Sequence, residues 1–159
     1  MSEILCFLGV SGSGKTYAVK EMARTSSGKI GGIITIGNHK NGKRHSFWVR
    51  DVATDRQVLL AQRDLAAKIT QGAFGFTEEG LAFGNYCLQQ ALKTQVDVLF
   101  IDEIGPLELR GEGWYPSLQM IATAKIAKIV FTSRPTTVTQ ICDTFFPHRD
   151  VQKIEVSGM

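Results

Sequence analysis

Several features that define common protein classes are scarce or absent in this sequence. Its three cysteines, Cys6, Cys87 and Cys142, lie far apart, so neither a disulfide framework nor a cysteine-based zinc site is expected. No apolar run is long enough to cross a bilayer, and the first residues lack the basic and apolar segments of a secretion signal. We therefore expect buried thiols, no membrane association and a cytoplasmic location.

An excess of either charge is also lacking. The sequence has 18 lysines and arginines against 15 acidic residues, a formal net charge of +3, and its only basic cluster is Lys40, Lys43 and Arg44. This scattered distribution favours a solvated surface over a nucleic-acid-binding patch, so there is no strong nucleic-acid signal. A length of 159 residues with 43% hydrophobic composition suits one compact domain, which we assign to residues 1–159.

A glycine-rich stretch near the amino terminus carries the strongest functional signal. It matches the pattern G-x-x-x-x-G-K-[ST] and follows a short apolar run; its residues are Gly9, Val10, Ser11, Gly12, Ser13, Gly14, Lys15 and Thr16. The backbone amides of such a loop surround phosphate oxygens, and the start of the next helix adds positive potential. We predict that Lys15 reaches the outer phosphates of a nucleotide and that the Thr16 hydroxyl binds Mg²⁺. The alternative is a glycine-rich turn followed by an ordinary surface lysine.

An acidic pair later in the chain supplies the second half of the predicted site. Residues 96–101, which are apolar except for Asp97, predict a buried strand that leads into Asp102 and Glu103. An acidic residue in this position holds the metal in nucleoside triphosphatases of the P-loop type, so we predict that Asp102 binds Mg²⁺. Glu103 is predicted to contact the nucleotide and to deprotonate an attacking water. Alone, such a pair is typical of a solvated strand end; the phosphate loop in the same chain favours catalysis.

Alternating short strands and helices predict an α/β fold with a largely parallel central sheet flanked by helices. The dipeptide Asn41-Gly42 between two β-forming segments predicts an added antiparallel hairpin. Residues 55–70 fit either a single helix or a strand at 57–61 followed by a helix. Residues 72–75 are predicted to form a flexible break that contains Phe74.

Three segments resemble a known family of small nucleoside triphosphatases, the cancer-related nucleoside-triphosphatase and its microbial relatives. The similarity covers nearly the whole chain in order and spacing. It rests on residues 9–16, on residues 31–35 with Gly42, Arg44 and Phe47 downstream, and above all on residues 101–109, which read IDEIGPLEL. The sequence departs from the family at Ile33, where relatives have an aromatic residue, and at residues 36–39, where relatives have a charged segment ending in arginine.

This resemblance implies a P-loop fold related to RecA-like ATPases. It implies slow, magnesium-dependent hydrolysis of ATP, GTP and other nucleoside triphosphates to the diphosphate and phosphate, with broad base tolerance. The alternatives are a small-molecule or nucleotide kinase, and a nucleotide-controlled binding module with an unknown macromolecular partner. The departure at residues 36–39 means that any catalytic arginine found there in relatives is missing or replaced by another residue.

Cations besides Lys15 are expected to assist phosphoryl transfer, because negative charge spreads over the phosphate oxygens as the bond breaks. Arg134 follows a predicted strand and Arg44 matches a recurrent family position, so both are candidate catalytic residues; the alternative for each is a surface ion pair. The nucleobase preference cannot be derived from the sequence. The aromatic residues considered for base stacking are Trp48, Phe74, Phe76 and Tyr86.

Overall fold

The computed structural model describes residues 2–10 and 12–156. The five helices of this part are α1 Lys15–Thr25, α2 Glu78–Lys93, α3 Pro106–Leu109, α4 Tyr115–Ile121 and α5 Val138–Phe145. The nine strands are β1 Glu3–Leu8, β2 Ile30–Lys40, β3 Lys43–Asp51, β4 Gln57–Arg63, β5 Thr70–Gln71, β6 Phe74–Phe76, β7 Val98–Ile101, β8 Lys128–Ser133 and β9 Val151–Glu155.

All nine of these strands belong to one mixed sheet in the order β5-β6-β4-β3-β2-β7-β8-β1-β9. Strands β2, β7, β8, β1 and β9 run parallel to one another, and β3, β4, β6 and β5 extend the sheet in antiparallel fashion. The predicted α/β class is confirmed. The antiparallel addition is larger than the single predicted hairpin, because β4, β6 and β5 continue it.

Alternating side chains of the central strands pack on the two faces of the sheet. On one face, Leu5, Phe100 and Val130 pack with Val19 of α1. On the other face lies a larger core formed by α2, α4 and α5; it includes Ile33, Leu99, Ile101, Leu88, Leu118 and Ile141. Coverage on both sides explains why these strands read as continuous apolar runs in the sequence.

Two local predictions are wrong in part. Residues 57–63 form strand β4, which pairs with β3 and buries Leu60 and Ala61, so the alternative of a strand at 57–61 is confirmed. The helix expected within residues 55–70 does not form, and no helix lies between β4 and β5. The spacing that suggested a helix over 55–70 is therefore produced by an extended segment and the loop after it. Residues 72–75 are part of a short β5–β6 hairpin, in which Phe74 packs edge-on against Phe47 at 5.1 Å between ring centroids.

The cysteines mostly behave as expected. Cys6 and Cys87 are buried, and burial raises the pKa of each thiol to about 12. Cys142 is only partly buried. Within the described chain, no helix combines the length and apolar character that a membrane crossing requires.

Candidate functional site

The glycine-rich loop lies between β1 and α1, at the carboxyl edge of the parallel strands. Gly14 has a φ of 96°, a left-handed conformation that favours glycine. A side chain on Gly9 would overlap the Ser13 hydroxyl, so the close packing of the loop also requires a glycine there. Ser11, which was predicted to belong to the phosphate site, lies outside the described residues. The other loop residues form the predicted turn before a helix.

Lys15 points back into this loop. Its side chain is buried, with 7% exposure, and its Nζ donates a hydrogen bond to the Gly9 carbonyl at 2.5 Å. Burial lowers the pKa of Lys15, while the nearby carboxylates of Glu103 and Asp102 counteract this effect. The Ser13 hydroxyl is buried without a hydrogen-bond partner among the described residues. A buried ammonium and an unsatisfied hydroxyl in one loop suit an anion that accepts hydrogen bonds from both.

Asp102 is the centre of a hydrogen-bond network at the end of β7. It is 1% exposed. Its Oδ2 accepts hydrogen bonds from Thr16 Oγ1 at 2.8 Å, from Thr35 N at 3.0 Å and from Thr35 Oγ1 at 3.2 Å. Its Oδ1 accepts one from Thr132 Oγ1 at 2.8 Å. Residues separated by 86 positions, Thr16 and Asp102, are therefore in direct contact.

The chemistry of this pair fits a magnesium ion. Mg²⁺ prefers hard oxygen ligands and is usually held by one or two protein groups together with phosphate oxygens and water. The Thr16 hydroxyl and the Asp102 carboxylate are such groups, and they adjoin the phosphate loop. A metal site made only of protein groups would need at least three His, Cys, Asp or Glu side chains close together. No such group is found among residues 2–10 and 12–156. Metal binding through this pair would thus depend on the phosphates.

Glu103 has an unusual backbone conformation beside this network. Its φ is 75°, which is uncommon for a residue with a side chain, and its N–H donates a hydrogen bond to Thr132 Oγ1 at 2.6 Å. The turn separates its carboxylate from that of Asp102 and directs it into a cleft. Desolvation raises the pKa of Glu103, and the positive charges of Lys15 and Arg134 oppose the rise. A carboxylate with a raised pKa is better suited to accept a proton.

The two predicted arginines both line the cleft, at different places. Arg134 follows β8, and its Nε lies 3.6 Å from Glu103 Oε1. This Nε is shielded from solvent and has no hydrogen-bond partner in the described part of the chain, so it is able to donate to a ligand in the cleft. Arg44 lies on β3, with its guanidinium carbon 4.9 Å from the centre of the Phe47 ring.

The cleft has a volume of about 740 Å³ and extends from the glycine-rich loop to the antiparallel part of the sheet. Of the aromatic residues considered for base stacking, Phe74 and Phe76 line it. Trp48 and Tyr86 are not among its lining residues, and Tyr86 is an exposed residue of α2.

Comparison with known proteins decides the family. A family model described as "NTPase" matches residues 5–158. The chain belongs to the NTPase family. The family resemblance noted in the sequence is thereby confirmed.

Relatives named nucleoside-triphosphatase THEP1 align with most of the chain. The nucleoside-triphosphatase THEP1 of Thermofilum pendens is 35% identical over 114 residues, which cover 69% of this chain and 62% of that protein. The THEP1 of Methanosarcina barkeri is 29% identical over 119 residues, covering 71% of this chain and 66% of the relative. The chain thus spans slightly less than two thirds of the length of these relatives.

Two solved structures share the fold. The crystal structure of THEP1 from the hyperthermophile Aquifex aeolicus matches with a TM-score of 0.76 at 18% identity, covering 98% of this chain and 90% of that one. The solution structure of a human cancer-related nucleoside triphosphatase matches with a TM-score of 0.70 at 19% identity, covering 99% and 89%. The predicted P-loop NTPase architecture is therefore confirmed for nearly the whole chain.

Several residues around the site were not assigned a role from the sequence. Thr35 and Thr132 complete the hydrogen bonds to Asp102, and Arg63 lines the cleft on β4. No local spacing indicated them, because each comes from a different strand. A threonine at the end of a buried strand was the only signal that could have suggested Thr132.

Glu108 is a further buried carboxylate that sequence reasoning missed. It is 4% exposed; its Oε1 accepts a hydrogen bond from Gly105 N at 2.7 Å and its Oε2 one from Trp114 N at 2.9 Å. Burial raises its pKa to about 7, and the two backbone hydrogen bonds limit the rise. Glu108 thereby ties the turn that begins at Gly105 to the start of α4.

Proposed function

We propose that this protein hydrolyses nucleoside 5'-triphosphates to the diphosphate and phosphate. The observation that carries the proposal is the hydrogen bond from Thr16 to Asp102, which joins the phosphate loop to the acidic pair. Lys15 precedes Thr16 and Glu103 follows Asp102, and each affects the pKa of the other. This set provides groups for binding phosphate, for holding a metal and for accepting a proton.

Each group has a separate proposed role. The backbone amides of residues 9–16 and the Lys15 ammonium bind the phosphates and stabilise the charge that develops on the transferred group. Glu103 accepts a proton from the attacking water, whose oxygen forms a bond to the terminal phosphorus as the bond to the leaving diphosphate breaks. Arg134 balances charge on the terminal phosphate and lowers the pKa of Glu103.

Magnesium is the proposed cofactor, held by Thr16 and Asp102; when bound, it would neutralise charge on the outer phosphates. Support comes from the donor types of these two residues and from the general use of a divalent metal by P-loop NTPases. The wider proposals that follow from the family are hydrolysis of ATP, GTP and other triphosphates and slow turnover with broad base tolerance. A single domain over residues 1–159 and a cytoplasmic location are proposed from the length, the composition and the apolar pattern of the sequence.

Arg44 is proposed as a second catalytic cation, in addition to Arg134. Arg44 lies on β3 and lines the same cleft, and its charge lowers the pKa of Glu103.

The test is incubation of the purified protein with Mg²⁺ and each of the four common ribonucleoside triphosphates while free phosphate is followed. Phosphate release without any acceptor is expected, with similar rates for the four bases. Release only in the presence of a small-molecule acceptor would select a kinase. Stimulation by a protein or nucleic acid would select a nucleotide-controlled binding module.

A further inference from the structure

The cleft continues well beyond the groups that the proposed hydrolysis requires. Past Glu103 it is lined by residues of β3, β4 and β6, which we call the far wall and define as Arg44, Phe47, Arg63, Phe74 and Phe76. A water molecule that attacks a phosphate needs no such wall. A cleft of about 740 Å³ lies in the size range of sites that enclose an organic ligand.

The far wall lies on the nucleophile side of the proposed reaction. In phosphoryl transfer the attacking and leaving oxygens are roughly in line, on opposite sides of the transferred phosphorus. Glu103 marks the attacking side, so the leaving nucleoside diphosphate extends the opposite way. Arg44 of the far wall lines the same cleft as Glu103 and is close enough for its charge to act on that carboxylate, so we place the far wall on the attacking side, away from the nucleoside. This step rests on the proposed function.

The chemistry of the far wall suits a flat ring. Phe47 and Phe74 meet edge to face with centroids 5.1 Å apart, and both are only partly buried. The guanidinium carbons of Arg44 and Arg63 lie 4.9 Å from the centres of the Phe47 and Phe74 rings, respectively. Arg63 Nε also donates a hydrogen bond to the Arg44 carbonyl at 3.0 Å, which fixes the two strands together. Aromatic rings and planar guanidinium groups both stack on nucleobases.

The charge of the cleft suits an anion in addition to the triphosphate. Its lining includes five cations, Lys15, Lys20, Arg44, Arg63 and Arg134, against the two carboxyl groups of Glu103 and Glu108. Lys15 is held at the phosphate loop by its hydrogen bond to the Gly9 carbonyl. The far wall contributes two arginines and no acidic residue, and guanidinium groups bind phosphate in a bidentate manner.

We propose that the far wall binds a second small molecule with a planar ring and an anionic group, on the nucleophile side of the terminal phosphate. A nucleoside monophosphate has both features, and it is the probe for the experiment. Its ring would contact Phe47 and Phe74, and its phosphate would contact Arg63 and Arg44. The site is separate from the triphosphate site, so both ligands bind at once.

The experiment is calorimetric titration of AMP, GMP, CMP and UMP into the protein saturated with Mg²⁺ and a non-hydrolysable triphosphate analogue. We expect at least one monophosphate to bind without displacing the analogue. Arg63→Met and Phe74→Leu should each weaken monophosphate binding at least about tenfold and leave analogue binding within about twofold. Leucine keeps apolar volume in β6, so Phe74→Leu serves if the arginine variant does not fold.

Arg50→Met is the matched control, because Arg50 lies on β3 of the same hairpin system but hydrogen-bonds to Gln57 instead of lining the cleft. Arg50→Met should keep the wild-type affinities for the monophosphate and for the triphosphate analogue. Lys15→Ala separates the two proposals: it should lose the analogue and keep the monophosphate. Absence of monophosphate binding, displacement of the analogue by the monophosphate, or binding unaffected by either far-wall variant that folds would overturn the inference.

Discussion

The two walls of the cleft differ in how they are built. The wall at the phosphate loop consists of buried groups at the carboxyl ends of parallel strands, and Asp102 alone accepts four hydrogen bonds there. The far wall consists of partly exposed rings and guanidinium groups on antiparallel strands. Rigid hydrogen-bonded geometry suits chemistry on a phosphate, whereas stacking surfaces suit recognition of a variable ring. We therefore expect substitutions in the two walls to affect different measurements.

The largest difference between the two walls is expected for a substitution of Lys15. Lys15→Ala removes the buried ammonium, so triphosphate affinity and turnover should both fall, turnover by at least about a thousandfold. Equilibrium binding of a fluorescent triphosphate and phosphate release measure the two effects. Lys93→Ala, at the exposed end of α2, is the control and should match wild type. Tight triphosphate binding by Lys15→Ala would contradict the assignment of the loop.

Arg134 should show a smaller loss that is confined to turnover. Arg134→Met is expected to lower kcat about a hundredfold with little change in triphosphate affinity, because the charge matters most as the phosphate is transferred. The positive charge of Arg134 lowers the pKa of Glu103. Its removal should therefore move the acid limb of the pH–kcat profile to higher pH. A variant with an unchanged profile would limit Arg134 to a surface role.

Thr35 should affect the metal requirement. Thr35→Val removes the hydroxyl that donates to Asp102 Oδ2 and keeps the backbone N–H that donates to the same atom. Groups that orient a metal ligand typically change metal affinity by about tenfold or more. We expect the Mg²⁺ concentration for half-maximal phosphate release to rise about tenfold, with near-normal kcat at saturation. Thr123→Val, at an exposed turn just after α4, is the control. An equal Mg²⁺ requirement in both variants would argue against the network.

Glu108 should affect stability more than catalysis. Glu108→Gln places an amide NH₂ against one of the two backbone N–H donors, which should cost about 1–3 kcal/mol of unfolding free energy. The pKa of Glu108 is about 7 in the folded protein and lower in the unfolded chain. Between these values the folded state keeps a proton that the unfolded state releases, so the wild-type unfolding free energy falls as pH rises.

Denaturant unfolding of wild type and Glu108→Gln at pH 5 and pH 7.5 measures this contribution. The penalty of the substitution should be larger at pH 5, because the glutamine variant lacks the titrating group. Equal penalties at both pH values would show that the folded-state pKa of Glu108 is not raised.

The phosphate side of the site could be predicted from the sequence because its geometry is local or belongs to a regular sheet. Residues 9–16 are contiguous in the sequence, and Asp102 directly follows a buried strand. The carboxyl ends of parallel strands meet at one edge, which brought Thr16 and Asp102 together as expected.

The far wall could not be predicted in the same way. Its side chains come from three strands whose register includes a shift between Phe47 and Trp48 in the β3–β4 pairing. A one-residue shift moves side chains to the opposite face, and no turn signal specifies it. The helix-like spacing of Val58, Ala61 and Leu65 left both a helix and a strand at 57–61 open, and the alternative strand ended before Arg63, so the position of Arg63 on β4 was not expected. The positive φ of Glu103 likewise has no sequence signal, because its residue type does not favour that conformation.

The central claim is that Glu103 activates water at a triphosphate held by the loop and Asp102. Its most direct test is single-turnover phosphate release by Glu103→Gln with Mg²⁺ and radiolabelled triphosphate, with the bound triphosphate quantified in the same samples. The account predicts normal triphosphate binding and a release rate at least about a hundredfold below wild type. Release at the wild-type rate would contradict it.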